Sequence, residues 1–446
     1  MSISNAQPPD YSELPRYSTA NLLSSAPPYS VCHSRPTTSG TAHASTSRPQ
    51  LVEVRDGPLV LSIKAPRLSS RGRPKYLSGE SVQGQITMEL DHLETLHSVR
   101  IIVKGRIVST HSEITSFTFL RTSHELLEGK QGHRRLVGQP QWAFDFPFPT
   151  EMQVERHGTY PLPQTFSDRG TAIAIHYELV AIVDHGKLRA SRKVRTQLCY
   201  VPKTVAGAPS RARARAYRHG VPPPGPAEDP RGWCTLEPAV TRGRIFDKRD
   251  VEARYILSLA SPLSYARGTV IPCHMTVQCF DQQALELLSS PKDLVVHLRR
   301  HVRYAFGDVK RESAVRPVIV CDVGKAIWWH STHQHAHAYE RRLDGEVHLP
   351  LDLQPSSDFP YFGVQYSVVV IPAPITGFKT QYTSPQVTQT VDITTWHAPG
   401  PIPQRTKPEE ASTGSPDQRY IEGSDNSLID SLIAVFSGTR RRVTVP

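Results

Sequence analysis

Two separate stretches of this chain recur at one spacing, and that repeat constrains the fold more than any other feature. Tyr76-x-x-Gly79-Glu80-x-Val82-x-Gly84-x-Ile86 aligns with Tyr265-x-x-Gly268-Thr269-x-Ile271-x-Cys273-x-Met275. Tyr177-Glu178-Leu179-Val180-Ala181-Ile182 aligns with Tyr366-Ser367-Val368-Val369-Val370-Ile371, and both pairs lie 189 residues apart (265 − 76 and 366 − 177). In the first pair, a turn whose glycine takes φ > 0 leads into a strand with alternate side chains facing a core. The chain reads as two copies of one β unit.

The strand texture agrees. In the first unit the runs 59–63, 82–88, 99–108, 114–120, 142–148, 172–183 and 194–201 are β-branched or alternate with period two, and Gly, Pro or charged turns part them. In the second, 254–259, 269–280, 294–304, 315–322, 345–353 and 361–371 do the same. Strands with one buried and one wet face predict antiparallel β-sandwiches. The 39 prolines are densest at the two ends and in one central stretch. That divides the 446 residues, too many for one ordinary core, into a disordered arm (1–50), a first sandwich (51–203), a basic, proline-rich linker (204–245), a second sandwich (246–378) and a disordered tail (379–446). The linker holds Arg211–Arg218 and the polyproline run Val221–Pro226, neither of which is expected to build a core. Within the tail, residues 427–437 carry apolar side chains at helical spacing before Gly438 and Arg440-Arg441-Arg442. They predict a short amphipathic helix that docks on the protein itself, a membrane or a partner.

Compartment and charge narrow the function. The six cysteines are scattered with no CxxC pair, no asparagine begins an N-x-Ser/Thr sequon, and the N-terminus lacks a basic region followed by an apolar run. No stretch reaches the ~18 apolar residues of a membrane span. A cytoplasmic chain with reduced thiols is expected. Its formal charge of +11 favours anionic partners.

The ordered motifs of the first unit resemble those of the arrestin family. Tyr76-Leu77-Ser78-Gly79-Glu80-Ser81-Val82-Gln83-Gly84 is similar to the opening of the arrestin N-terminal domain, and Val99–Gly105 to the strand that follows. Phe144–Pro149, Leu162-Pro163-Gln164-Thr165-Phe166 and Ile175–Ala181 are similar to its later motifs, in order, across about 55–205. The second unit fits the arrestin C-terminal domain more loosely: Gly268-Thr269 lacks the acidic residue, and Cys273 stands in place of Gly84. The resemblance implies the α-arrestin branch, of fungal type: two immunoglobulin-like sandwiches in tandem, no catalysis and no cofactor. These trafficking adaptors link membrane cargo to WW-domain HECT ubiquitin ligases for ubiquitination and endocytosis.

WW domains read Pro-Pro-x-Tyr because prolines hold a peptide in a low-entropy polyproline II conformation while the tyrosine ring fills a pocket. The arm offers Pro8-Pro9-Asp10-Tyr11, the variant Leu14-Pro15-Arg16-Tyr17, and Ala26-Pro27-Pro28-Tyr29. The expected ligase-binding residues are therefore Pro8, Pro9, Tyr11, Pro15, Tyr17, Pro27, Pro28 and Tyr29. Three such motifs on one flexible arm raise the local concentration for a ligase with several WW domains, although in the resembled family they usually follow the second sandwich.

Basic residues cluster in and around the first unit. Arg73, Lys75, Lys104, Arg106, Arg189, Arg192 and Lys193 form the candidate cargo or anion-binding set, with Arg67, Arg71, Lys187 and Arg195 nearby. Singly, each is what any solvated surface carries; together they suit the acidic or phosphorylated cytosolic tails of transporters or receptors, with an anionic membrane surface as a further partner. Recruitment to plasma membrane or endosomes would follow. His330, His333, His335 and His337 lack a completing Cys or carboxylate, so no metal is expected. No nucleophile elbow, P-loop, dinucleotide fingerprint or zinc-protease motif is present. A scaffold of the same fold without ligase recruitment is the alternative. Nucleic-acid binding ranks last, because the basic runs lack interleaved aromatics.

Overall fold

The computed structural model describes residues 49–109, 115–127, 134–154, 158–168, 171, 173–186, 189–305, 318–331, 337–371, 375–381, 387–403 and 405–406. The arm with its three Tyr motifs, Lys187, His333, His335 and the 427–437 segment lie outside these residues. Of the described residues, 63 % are strand and 6 % helix, which makes the protein all-β.

The strands expected from alternation are present, shifted by a few residues. Ser81–Met88 buries Val82, Ile86 and Met88 while Ser81 and Gln83 face water, the signature of a half-wet strand. Ile173–Asp184 is buried along nearly its whole length, and it sits in mid-sheet between Ser98–Ser109 and Arg192–Val201.

In the first half, Gln50–Asp56, Leu59–Ala65, Ser81–Met88 and Gln141–Pro147 form a four-stranded sheet in that order. A second sheet runs Arg67–Leu68, Pro74–Leu77, Arg192–Val201, Ile173–Asp184, Ser98–Ser109, Thr115–Leu127, with Phe166–Ser167 added beside Ile173–Asp184. The second half repeats both orders. Ala239–Ile245, Arg249–Ala260, Val270–Cys279 and Glu340–His348 stand as the first four do, and Ser264–Ala266, Val387–Thr394, Phe362–Ile371, Val295–Tyr304 and Val318–His330 follow the second order. The long strand Val318–His330 pairs with Val295–Tyr304 through its first part and with Glu340–His348 through its last. That bridge joins the second half into one twelve-stranded sheet.

The repeat seen in the sequence has matching geometry. Gly79 and Gly268 adopt φ of +86° and +79°. Tyr76 and Tyr265 are buried on short strands that pair in parallel with the last long strand of their own half. Tyr177 and Tyr366 are fully buried, and each hydroxyl donates to a backbone carbonyl, Pro163 at 2.6 Å and Gln354 at 2.7 Å. Buried phenols usually find such a partner.

Two expectations need correction. The 204–245 stretch is not a coreless linker. Arg211–His219 forms α1, capped by the Ser210 side chain, which accepts from the Arg213 N–H, and ended by Gly220 at φ 64°. Arg213, only 2 % exposed, donates to the carbonyls of Ser261 and Gly232 and lies 4.8 Å from the centroid of Trp233, so a buried cation ties the helix to the second half. Trp233–Thr235 and Ala239–Ile245 then pair with Arg249–Ala260. The second half also does not end near 378: Val387–Thr394 pairs with Phe362–Ile371, inside the expected tail. A smaller departure is the run 345–353, whose strand is Glu340–His348. A second helix, α2 (Gln282–Leu288), buries Ala284, Leu285 and Leu288.

Among the described residues, the halves touch through aromatic and polar pairs. Phe117 packs edge-on against Tyr361 (4.9 Å), Phe119 against Phe359 (5.3 Å), and Phe166 lies 4.8 Å from Phe362. Gln164 donates to Gln354 (3.0 Å), Arg267 donates to Gln164 (3.1 Å), and Arg300 pairs with Asp168.

Candidate functional site

The outward face of the first half's larger sheet carries the basic residues. Cross-strand partners in a ladder share a face, so the register identifies it. Lys104 stands opposite Glu178 on one side and Arg121 on the other; Arg106 is opposite His176, Arg195 opposite Val180, Lys193 opposite Ile182, and Lys75 opposite Cys199. Their neighbours in sequence, Tyr177, Leu179, Val103 and Leu198, fill the core behind.

At the centre of this face Ile102, Val180 and Ile182 form an apolar cluster of their own, 1 %, 3 % and 6 % exposed. Arg195 and Lys193 are the ladder partners of two of them, so their aliphatic stems can lie over the cluster while the charged ends reach water. Glu178 is the central acid: Arg106 is 3.0 Å and Lys104 3.8 Å from its Oε1. Burial pulls the Lys104 ammonium below its ordinary range. Glu178 pulls it back up, and Arg106, Arg121 and Arg195 push it further down. Among the described residues Lys75, Lys193, Arg121 and Arg195 have no ion-pair partner. One buried carboxylate thus faces a surplus of cations, which suits a multiply charged anion.

Of the seven residues expected here, Lys75, Lys104, Arg106 and Lys193 share the face, and Arg73 lies two residues along from Lys75 on the same alternation. Arg189 and Arg192 do not join it. Arg189 leaves the sheet to pair with Glu94 at 3.4 Å, and Arg192 stands opposite core-facing Val183. Arg121 and Glu178 were missed. The signal for Glu178 was its place on the same alternation as His176 and Val180, whereas Arg121 needed the register across a bulge at Gly105/Arg106.

Among the described residues no group of three or more His, Cys, Asp or Glu side chains could hold a metal ion. A cavity beneath α1, lined by Arg213, Tyr217, Tyr265 and Pro262, holds about 50 Å³, room for water rather than a cofactor. The five described cysteines are free thiols. Burial pushes the Cys273 thiol far above its ordinary range. No helix of the described residues is long and apolar enough to cross a membrane. Comparison with family models and with curated proteins found no match to this chain.

Proposed function

We propose that this chain is a non-catalytic adaptor of the arrestin type, built as two immunoglobulin-like sandwiches in tandem. The basic face holds the acidic or phosphorylated cytosolic tail of a membrane transporter or receptor. The N-terminal arm recruits a WW-domain HECT ubiquitin ligase to that cargo, and ubiquitination and endocytosis follow at the plasma membrane or endosomes.

The observation that carries this reading is the repeated strand order with its matched buried tyrosines, Tyr177 and Tyr366. It supports a duplicated sandwich, and the ordered motifs of the first half give that duplication its family likeness. The cation surplus around Glu178 supports anionic cargo, and Pro8-Pro9-Asp10-Tyr11 with its two neighbours supports the ligase.

The deciding experiment titrates a peptide of residues 1–35 against a tandem WW module, with Tyr11, Tyr17 and Tyr29 intact or changed to Ala. Micromolar binding that vanishes with the tyrosines is the expected result. Equal binding by both peptides, or none by either, removes the ligase and reduces the role to a scaffold for anionic clients.

A further inference from the structure

The chain beyond the last long strand is stitched to the body at two places. The first is a zip with the segment leaving the first half. Thr204 N–H donates to Thr395 Oγ1 (2.9 Å), Thr395 N–H donates to Thr204 Oγ1 (3.0 Å), and Ala206 N–H donates to the Trp396 carbonyl (2.9 Å). The second lies further on, where Thr406 donates both its backbone N–H (3.0 Å) and its hydroxyl (3.2 Å) to one oxygen of Glu346.

Glu346 sits within the Glu340–His348 strand and is 1 % exposed. Its other oxygen accepts from His348 Nε2 at 2.6 Å. A carboxylate in such a place is tolerated only while donors surround it. Burial alone would raise its pKa, yet the hydrogen bonds from His348 and Thr406 hold it below the ordinary carboxylate value. Two of the three donors belong to Thr406. The strap and the buried charge therefore depend on each other.

We propose that Thr406 is a phosphorylation site and that its modification opens this latch, releasing Thr406 from Glu346 of the Glu340–His348 strand. The threonine oxygen would attack the γ-phosphorus of a nucleoside triphosphate. The bond to the β–γ bridging oxygen breaks, the nucleoside diphosphate leaves, and the hydroxyl proton passes to the kinase's base. The ester has no proton left to donate to Glu346. It also brings a charge of about −1.5 to −2 to within hydrogen-bond distance of a buried carboxylate, so a bond becomes a repulsion. Thr395 is a poorer switch: its hydroxyl serves neutral carbonyls, Pro202 (2.8 Å) and Thr204 (3.1 Å), where added negative charge meets no buried anion. Thr406 is half-exposed and is flanked by Arg405 and Lys407, the setting a kinase that reads basic residues requires.

The test uses full-length protein with phosphothreonine encoded at 406 and follows amide hydrogen exchange of 395–406 and 340–348. Exchange in both segments should rise about tenfold or more over the unmodified chain. Thr406→Val, which loses the hydroxyl but gains no charge, should give a rise of only a fewfold. In a Glu346→Gln background the effect of the phosphate should shrink to less than about threefold, since a neutral amide does not repel it. Protection in the phosphorylated protein equal to that of the unmodified chain overturns the proposal. An undiminished phosphate effect in the Glu346→Gln protein also overturns it, because the carboxylate is then not what the phosphate opposes.

Discussion

The two halves share a strand order but differ in how the charges on equivalent faces are paired. Aligned on Tyr177 and Tyr366, Lys104 corresponds to Arg299, Glu178 to Ser367 and Arg106 to His301. The decisive exchange is one strand away. The residue opposite Lys104 is Arg121, and the residue opposite Arg299 is Asp322. In the second half Asp322 takes both Arg299 (2.7 Å and 3.1 Å) and His297 (2.9 Å), while Arg303 pairs with Asp358. On that face both arginines are paired, whereas the first keeps several cations without an ion-pair partner among the described residues. One scaffold thus leaves a surplus of cations on one copy and pairs Arg299 and Arg303 on the other, with the difference set by side chains at fixed ladder positions.

The cores differ in a complementary way. In the first half Gly84 stands opposite Phe144; in the second, Cys273 stands opposite Gly345. Each half spends one glycine of the pair to admit an aromatic ring. A Cβ at Gly84 would lie 2.3 Å from the Ser62 carbonyl oxygen and 2.5 Å from Phe144, and one at Gly345 would lie 2.4 Å from Trp328. Gly84→Ala and Gly345→Ala should therefore each destabilise by about 3 kcal/mol in urea unfolding. A mild effect at either site would mean that the two halves do not solve the same packing problem.

The electrostatic contrast predicts binding. Arg121→Asp, which gives the first face the second's arrangement, should weaken full-length protein for a doubly phosphorylated peptide about tenfold in calorimetry at moderate salt. Asp322→Arg, the reverse exchange, should add a second, weaker class of sites. If Arg121→Asp binds as the parent does, the face around Glu178 is an ordinary solvated surface.

The matched tyrosines predict a smaller, equal pair of effects. Tyr177→Phe and Tyr366→Phe each orphan a backbone carbonyl, and each should cost about 1–2 kcal/mol by thermal unfolding. A cost at only one site would break the equivalence of the halves.

The smallest effect concerns Asp145 and Glu346, which hold equivalent positions beside Phe144 and Gly345. Asp145 is exposed and accepts from Gln83 at 2.9 Å; Glu346 is buried under the strap. The Glu346 pKa is depressed from 4.5, so its contribution is complete above that pH and is lost as pH falls through the lower folded value. Glu346→Gln should flatten that part of the acid-stability curve; a curve unchanged from the parent's would mean the buried carboxylate does not set it.

How far the sequence carried depends on the element. Long strands such as Val99–Val108 and Tyr361–Ile371 were legible because burial on one or both faces imposes a hydrophobic pattern. Short strands such as Arg67–Leu68 and Ser264–Ala266 are too brief to show one. The 204–245 stretch misled because charge was read as exposure. Its helix signals, Ser210 before and Gly220 after an Arg/Ala run, were present but outweighed by the arginines. Of the candidate face, Lys104 and Arg106 were legible as cations on one strand, but Arg121 and Glu178 were not, because membership depends on which strands pair.

By itself the sequence determined the repeat at 189 residues, the all-β class, the turn glycines and the surplus of positive charge, since each is written in local pattern or composition. Tertiary structure alone decided that Arg213 is buried, that Arg189 and Arg192 leave the basic face, that Arg121 joins it, and that Thr406 closes on Glu346. The reason is the same in every case. A side chain's charge is local, but its partner is chosen by register and by which distant segments the fold brings within hydrogen-bond reach.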